Sequence, residues 1–173
     1  MGGAALKRRD SIPALEIPRL TADEIEAFYR DGFLILRSVF SQGEVLRIAD
    51  ALNRLYELGM QAGESRTVKG TQFVVGETSE GNPRIDRICW VGGAEPSLLE
   101  FGSDPRLTSL AAQLLKSSSL VQIINQAHYK QPGDEVSFGW HQDSAHRRHG
   151  SSDWTDVNGT GSFVETILAI DPM

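Results

Sequence analysis

The residues best suited to chemistry lie in one short segment, residues 136–143. In an extended strand alternate side chains point to opposite faces, so His141 and Asp143 would share one face beside a serine and a glycine. An imidazole and a carboxylate in this arrangement supply two of the three ligands of the 2-His-1-carboxylate triad, which holds Fe(II) and leaves positions open for other molecules. The spacing alone is weak evidence, because such a pair also occurs as ordinary surface hydrogen-bonding residues.

Three further histidines leave alternatives open. His146 and His149 follow His141 closely and would allow a local metal-binding loop. The neighbouring Arg147 and Arg148 disfavour a bound dication, so solvated histidines in a polar loop are the favoured interpretation. His128 is expected to be a hydrogen-bonded histidine of a sheet, and a role in a pocket stays open.

The composition narrows the class of protein. The chain has 173 residues with 17 basic and 23 acidic side chains, a net charge of −6. This balance disfavours binding to nucleic acid or to an anionic membrane, since both require clustered positive charge. No apolar run approaches the roughly 20 residues that span a bilayer. The single cysteine, Cys89, excludes an internal disulfide, is expected to be a buried small hydrophobic residue, and fits a reducing compartment such as the cytoplasm.

Local signals predict helices early in the chain. Thr21 to Glu24 and Ser41 to Glu44 each form a capping box that begins a helix. Gly32 is expected to end the first helix, and the second is expected to end near Gly59. A third helix is predicted from Asp104-Pro105, an N-cap followed by proline at the first helical position. Residues 1–20 are expected to form a flexible leader.

The remaining segments favour strands and loops. Short apolar or alternating patterns predict strands at residues 33–36, 72–75, 120–130, 136–143 and 162–170, and a loop at residues 60–70. With helices concentrated early and strands late, the sequence predicts an α+β fold in which N-terminal helices pack on a sheet that is incomplete.

Four segments together resemble the phytanoyl-CoA dioxygenase family of Fe(II)- and 2-oxoglutarate-dependent oxygenases. They are the Asp-Gly-Phe and apolar run within residues 21–40, the helix start at residues 104–107, the stretch from Asn125-Gln126 to a Lys-x-Pro-Gly turn, and Trp-His-Gln-Asp at residues 140–143. The resemblance implies that residues 21–173 form the N-terminal portion of a double-stranded β-helix, or jelly roll, flanked by helices.

The resemblance also implies site residues. His141 and Asp143 match two iron ligands, and Gln126 matches a position that contacts 2-oxoglutarate. Arg87 falls where relatives place a basic residue near this cosubstrate, although an ion pair with a neighbouring carboxylate, Asp86 or Glu100, is an alternative. Gln126 could instead be a polar residue at a sheet edge. Trp140 is expected to pack on the outer face of the sheet.

Two features of the family find no match in this sequence. The third ligand should be a later histidine followed by an arginine that holds 2-oxoglutarate, and no histidine follows His149. Two functions therefore stay open. One is a dioxygenase that uses Fe(II), 2-oxoglutarate and O2 to hydroxylate a small organic or acyl substrate. The other is a C-terminally truncated, non-catalytic half-barrel that depends on a partner or self-associates through an exposed sheet edge.

Overall fold

The computed structural model describes residues 17–130, 139–141 and 163–171. Within these ranges the fold is α+β, as predicted from the sequence. Its elements in chain order are α1 (Ala22–Asp31), α2 (Gln42–Ala62), β1 (Arg66–Val68), β2 (Thr71–Glu77), β3 (Pro83–Cys89), α3 (Pro96–Gly102), α4 (Pro105–Leu115) and β4 (Gln126–His128).

The capping predictions are confirmed. The hydroxyl groups of Thr21 and Ser41 accept from the backbone N–H of the residue three positions later, and both glutamates return the bond. Gly32 ends α1 in the left-handed conformation. Helix α2 ends at Ala62, three residues after Gly59, near which its end was predicted. The first part of the predicted 60–70 loop is therefore helical, and β1 occupies another part of it.

The four strands in the described residues form one antiparallel sheet in the order β1-β2-β3-β4. Phe73 of β2 lies opposite Ile88 of β3, which lies opposite Ala127 of β4, so these three side chains share a face. That face packs on α2, and the core between them contains Ile48, Ala51, Leu55, Phe73, Ile85, Ile88, Val91 and Leu98.

Close contact between α2 and the sheet depends on a glycine. A Cβ added at Gly59 would lie 2.7 Å from Cδ1 of Ile85 and 2.9 Å from Cδ1 of Phe73, both fully buried. A Cβ at Gly43, on the same helix, meets no atom within 4 Å. Gly59 therefore sets the distance between helix and sheet.

We expect Gly59→Ala to lower the free energy of unfolding by about 1–3 kcal/mol, because the added methyl group overpacks the core. Gly43→Ala is the matched control and should be neutral or slightly stabilising, since alanine favours helix and finds open space. Urea denaturation of both variants measures the difference. Equal stability of the two variants would show that α2 does not contact the sheet this closely.

A buried arginine joins the starts of two helices. Arg106 is 9% exposed and donates to both carboxylate oxygens of Asp104 and both of Glu44, at 2.7–3.2 Å. It also donates to the carbonyl of Val39 at 3.1 Å, and its guanidinium lies 4.3 Å from the ring centre of Phe40. These contacts fix the irregular segment before α2 against the start of α4.

Several predicted strands are wrong. Residues 33–36 form no strand, and Phe33 and Ile35 are 62% and 67% exposed. Only residues 126–128 of the predicted 120–130 strand pair with a neighbour, and residues 163–170 are irregular. The physical reason is that these segments have no adjacent strand in the described part of the chain to bond with. The strand predicted at residues 72–75 is confirmed as part of β2, and β1, β2 and β3 all lie between α2 and α3.

Two other predictions concern the last part of the chain. Most of the predicted 136–143 strand lies outside the described residues, and residues 139–141 within it are irregular. Trp140, expected to pack on the sheet, is fully exposed. Among the helices in the described ranges, none has the length and apolar character needed to cross a bilayer.

Candidate functional site

The face of the sheet opposite α2 carries the predicted cosubstrate residues. Arg87 lies opposite His128, and Cys89 lies opposite Gln126, on the adjacent strands β3 and β4. Both pairs alternate with the core-facing pair Ile88–Ala127, so all four side chains project away from the core. We call these four residues, Arg87, Cys89, Gln126 and His128, the site face. The structure therefore brings Arg87 and Gln126 together, although 39 positions separate them in the sequence.

Arg87 is exposed and does not form the alternative ion pair considered from the sequence. Asp86 instead accepts from Arg84, with Nε and Oδ1 2.8 Å apart. In the ranges that the structure describes, neither Asp86, Glu100 nor any other carboxylate forms an ion pair with Arg87. The guanidinium is thus available to an anion on the site face.

Gln126 is half-buried at the start of β4. Its Oε1 lies 3.9 Å from the sulfur of Cys89, a weak S–H···O contact. Cys89 is 8% exposed and confirms the prediction of a buried small residue. This contact uses the carbonyl oxygen of the Gln126 amide as acceptor and neither of its two N–H donors.

Two cationic side chains, Arg87 and Lys130, lie close enough to His128 to affect its protonation. Partial desolvation, followed by the charges of Arg87 and Lys130, lowers the pKa of the His128 imidazole below its usual value. Burial and positive neighbours both disfavour the protonated ring. Sequence reasoning left a pocket role for His128 open. It could not predict the register of β3 and β4, which places His128 opposite Arg87.

His141 lies on the described segment 139–141 and is exposed. Its Nδ1 is 2.7 Å from the carbonyl oxygen of Gly139, and because a carbonyl only accepts, Nδ1 must carry the proton. With this proton on Nδ1, Nε2 is the nitrogen through which the ring would bind a metal ion, the arrangement found where the other nitrogen of a metal-binding histidine bonds to a carbonyl. The tautomer of His141 thus fits the role of a metal ligand.

Asp143, the second predicted ligand, lies outside the described residues, as do His146 and His149. Within residues 17–130, 139–141 and 163–171, no three His, Cys, Asp or Glu side chains cluster as a metal site would require. Asp143 is not among these residues, so the His141–Asp143 pair stays a prediction.

Comparison with known proteins identifies the family to which the chain belongs. The profile of the phytanoyl-CoA dioxygenase (PhyH) family matches residues 28–173, and the chain belongs to this family. The chain is 30% identical over 124 residues to an ectoine dioxygenase of Bordetella bronchiseptica. It is 29% identical over the same length to an ectoine dioxygenase of Bordetella parapertussis. Each match covers 72% of this chain but only 37% of the relative. No solved structure matches significantly.

Proposed function

We propose that this chain carries part of the site of an Fe(II)- and 2-oxoglutarate-dependent dioxygenase that hydroxylates a small organic or acyl substrate. The observation that carries the proposal is the register of β3 and β4, which places Arg87 and Gln126 as diagonal neighbours on the same face of adjacent strands. Membership of the phytanoyl-CoA dioxygenase family supports the same activity. Ectoine is the first substrate to test, because both relatives are ectoine dioxygenases.

His141 and Asp143 are the residues that would hold iron. An imidazole with its lone pair on Nε2 and a carboxylate are both suitable for Fe(II). Bound Fe(II) would supply the activation of O2, coupled to oxidative decarboxylation of 2-oxoglutarate and hydroxylation of the substrate. The hydrogen bond from His141 Nδ1 to Gly139 orients the imidazole and holds the proton away from the metal-binding nitrogen.

Arg87 and Gln126 would position the cosubstrate. A guanidinium can donate two parallel hydrogen bonds to one carboxylate, which fixes the orientation of the acid as well as its position. The Gln126 amide adds a neutral donor beside it. In this arrangement the chain binds and orients 2-oxoglutarate, and the metal performs the oxidation.

The complete domain is proposed to be a jelly roll to which residues 21–173 contribute the N-terminal portion. Exposed apolar side chains in the irregular segment 163–171 support this: Ile167 is 87% exposed and Leu168 is 38% exposed. Such a segment can gain a strand partner from further chain or from a second copy, which is the proposed self-association through a sheet edge. We also propose a cytoplasmic location, which a chain with a single cysteine, and so without an internal disulfide, fits.

The same exposed segment favours the second candidate function, a non-catalytic, partner-dependent half-barrel. Turnover distinguishes the two functions. A dioxygenase forms succinate from 2-oxoglutarate when Fe(II), O2 and ectoine are present, whereas a half-barrel lacking the later histidine and arginine binds ligands without forming succinate.

Calorimetry of 2-oxoglutarate binding, with and without Mn(II) as a redox-inert substitute for Fe(II), tests the proposed site. We expect binding that is at least tenfold tighter with the metal, because the cosubstrate would bind both the ion and the site face. Affinity that is the same with and without Mn(II) in the folded protein would contradict the proposal.

A further inference from the structure

The backbone just after β3 takes an unusual conformation at Trp90. Its φ is +55°, in the left-handed region that bulky residues rarely adopt because the Cβ atom comes too close to the following carbonyl oxygen. Two hydrogen bonds to the Trp90 carbonyl hold it there, one from the hydroxyl of the fully buried Thr71 at 2.6 Å and one from the N–H of Gly93 at 3.0 Å. A strained residue of this kind persists only where its surroundings enforce it, and such residues concentrate at binding and active sites.

The same conformation reverses the alternation of side chains along β3. Cys89 is the last residue of β3 that is paired with β4, and the next bond runs from the N–H of Val91 to the carbonyl of Asn125 at 3.2 Å. Trp90 and Val91 therefore lie together opposite one residue, as in a β-bulge. Val91 joins Ile88 in the core, three positions away, and takes the place that strict alternation would give to Trp90.

The result is an aromatic side chain at the edge of the site face. Trp90 is 44% exposed and directly follows Cys89. In the described part of the chain no aromatic ring packs on it and no cation lies over it. Glycine adopts a positive φ without this strain, so the fold gives no reason for an indole here. An indole does offer a large, rigid, flat surface for contact with another molecule.

We infer that Trp90 contacts the organic substrate of the proposed dioxygenase, with its indole packed on a flat or apolar carbon face of that molecule. The inference rests on the proposed function and extends it from the cosubstrate to the substrate. Arg87 and Gln126 would hold 2-oxoglutarate on the site face, and Trp90 lies next to the Cys89–Gln126 pair at the end of that face. A substrate that reacts beside the cosubstrate then lies against the indole. Trp90 contributes to substrate affinity and specificity but not to cosubstrate binding.

Calorimetry of the chain loaded with Mn(II) and 2-oxoglutarate, with ectoine as the probe, tests the inference. Trp90→Gly removes the indole and leaves a residue suited to the backbone. We expect it to weaken ectoine binding roughly tenfold, as the loss of one aromatic contact does, and to leave 2-oxoglutarate affinity unchanged. Trp90→Phe keeps a smaller aromatic face and should lose less. The matched control is Lys69→Gly, at another left-handed residue with an exposed side chain, and it should keep both affinities.

Tryptophan fluorescence locates the contact at Trp90 itself. A saturable change of emission on adding ectoine to the loaded protein is expected in the original chain and in Lys69→Gly. It should be absent in Trp90→Phe, which keeps Trp140 and Trp154. If Trp90→Gly does not fold, Trp90→Phe decides by its affinity and its emission.

The inference is overturned if ectoine does not bind the original chain, if the Trp90 variants bind it as tightly, or if the emission change persists in Trp90→Phe. Equal weakening of ectoine and 2-oxoglutarate in a Trp90 variant also overturns it. So does an emission change that appears without ectoine as the protein concentration rises, because a second copy then covers the indole. In each case 2-oxoglutarate binding that is tighter with Mn(II) leaves the proposed function standing. Affinity for 2-oxoglutarate that is the same with and without Mn(II) removes the function and this inference with it.

Discussion

Replacing Arg106 by methionine is expected to lower the free energy of unfolding by about 3–5 kcal/mol, the cost of breaking a buried ion pair from one side. The side chain is 11% exposed and bonds to the carboxylates of Glu44 and Asp104, whose side chains are only 19% and 15% exposed. Without the guanidinium, two poorly hydrated carboxylates would face each other. The variant also loses the bond to Val39 that fixes the segment before α2.

The matched control is Arg54→Met. Arg54 also pairs with a glutamate, Glu95, at 2.9 Å, but its side chain is 57% exposed. A solvated pair of this kind contributes about 0–1 kcal/mol, so this variant should be nearly as stable as the original chain. Urea denaturation measures both. Similar losses for the two variants would mean that Arg106 is not a buried link between helices.

Acid denaturation adds an independent readout for the same residue. Hydrogen bonds from Arg106 and Ser41 lower the pKa of Glu44 to about 2, and Arg106 lowers that of Asp104. Because both pKa values are depressed in the folded state, the stabilisation is fully present above about pH 5. It is lost as the pH falls towards 2. In Arg106→Met the stability should depend less on pH between these values.

Local structure could be predicted from the sequence because its causes are local. The capping boxes at Thr21 and Ser41 depend on contacts three residues apart, and both formed. Strands depend on partners elsewhere in the chain. The apolar runs at residues 33–36 and 163–170 have strand-like composition, yet they are irregular where no neighbouring strand is described.

The site could be predicted only in part, for the same reason. Resemblance identified Arg87 and Gln126 individually, but their proximity depends on the β3–β4 register. A register shift between Val74 and Val75 leaves Asp86 as an extra residue in β3, so Ile85 and Ile88 both face the core although they are three positions apart. Strict alternation would put those isoleucines on opposite faces of the sheet. The face predicted for Arg87 would then depend on whether the alternation is counted from Ile85 or from Ile88.

Replacing His141 by alanine is expected to weaken Fe(II) binding at least about 100-fold. Loss of an outer partner of a metal ligand already costs 10–100-fold, and here a ligand itself would be removed. The hydrogen bond to Gly139 sets the His141 tautomer for this role. The control is His149→Ala, a histidine that the sequence assigns to a solvated loop, and its metal affinity should not change.

Anaerobic titration of the Fe(II)-loaded protein with 2-oxoglutarate, followed by visible absorption, tests the central claim that this chain holds iron and cosubstrate together. A 2-oxoglutarate chelate of Fe(II) gives a weak charge-transfer band. We predict that this band develops in the original chain and in His149→Ala and is absent in His141→Ala. A well-folded original chain without the band, or a band of equal strength in His141→Ala, would contradict the account.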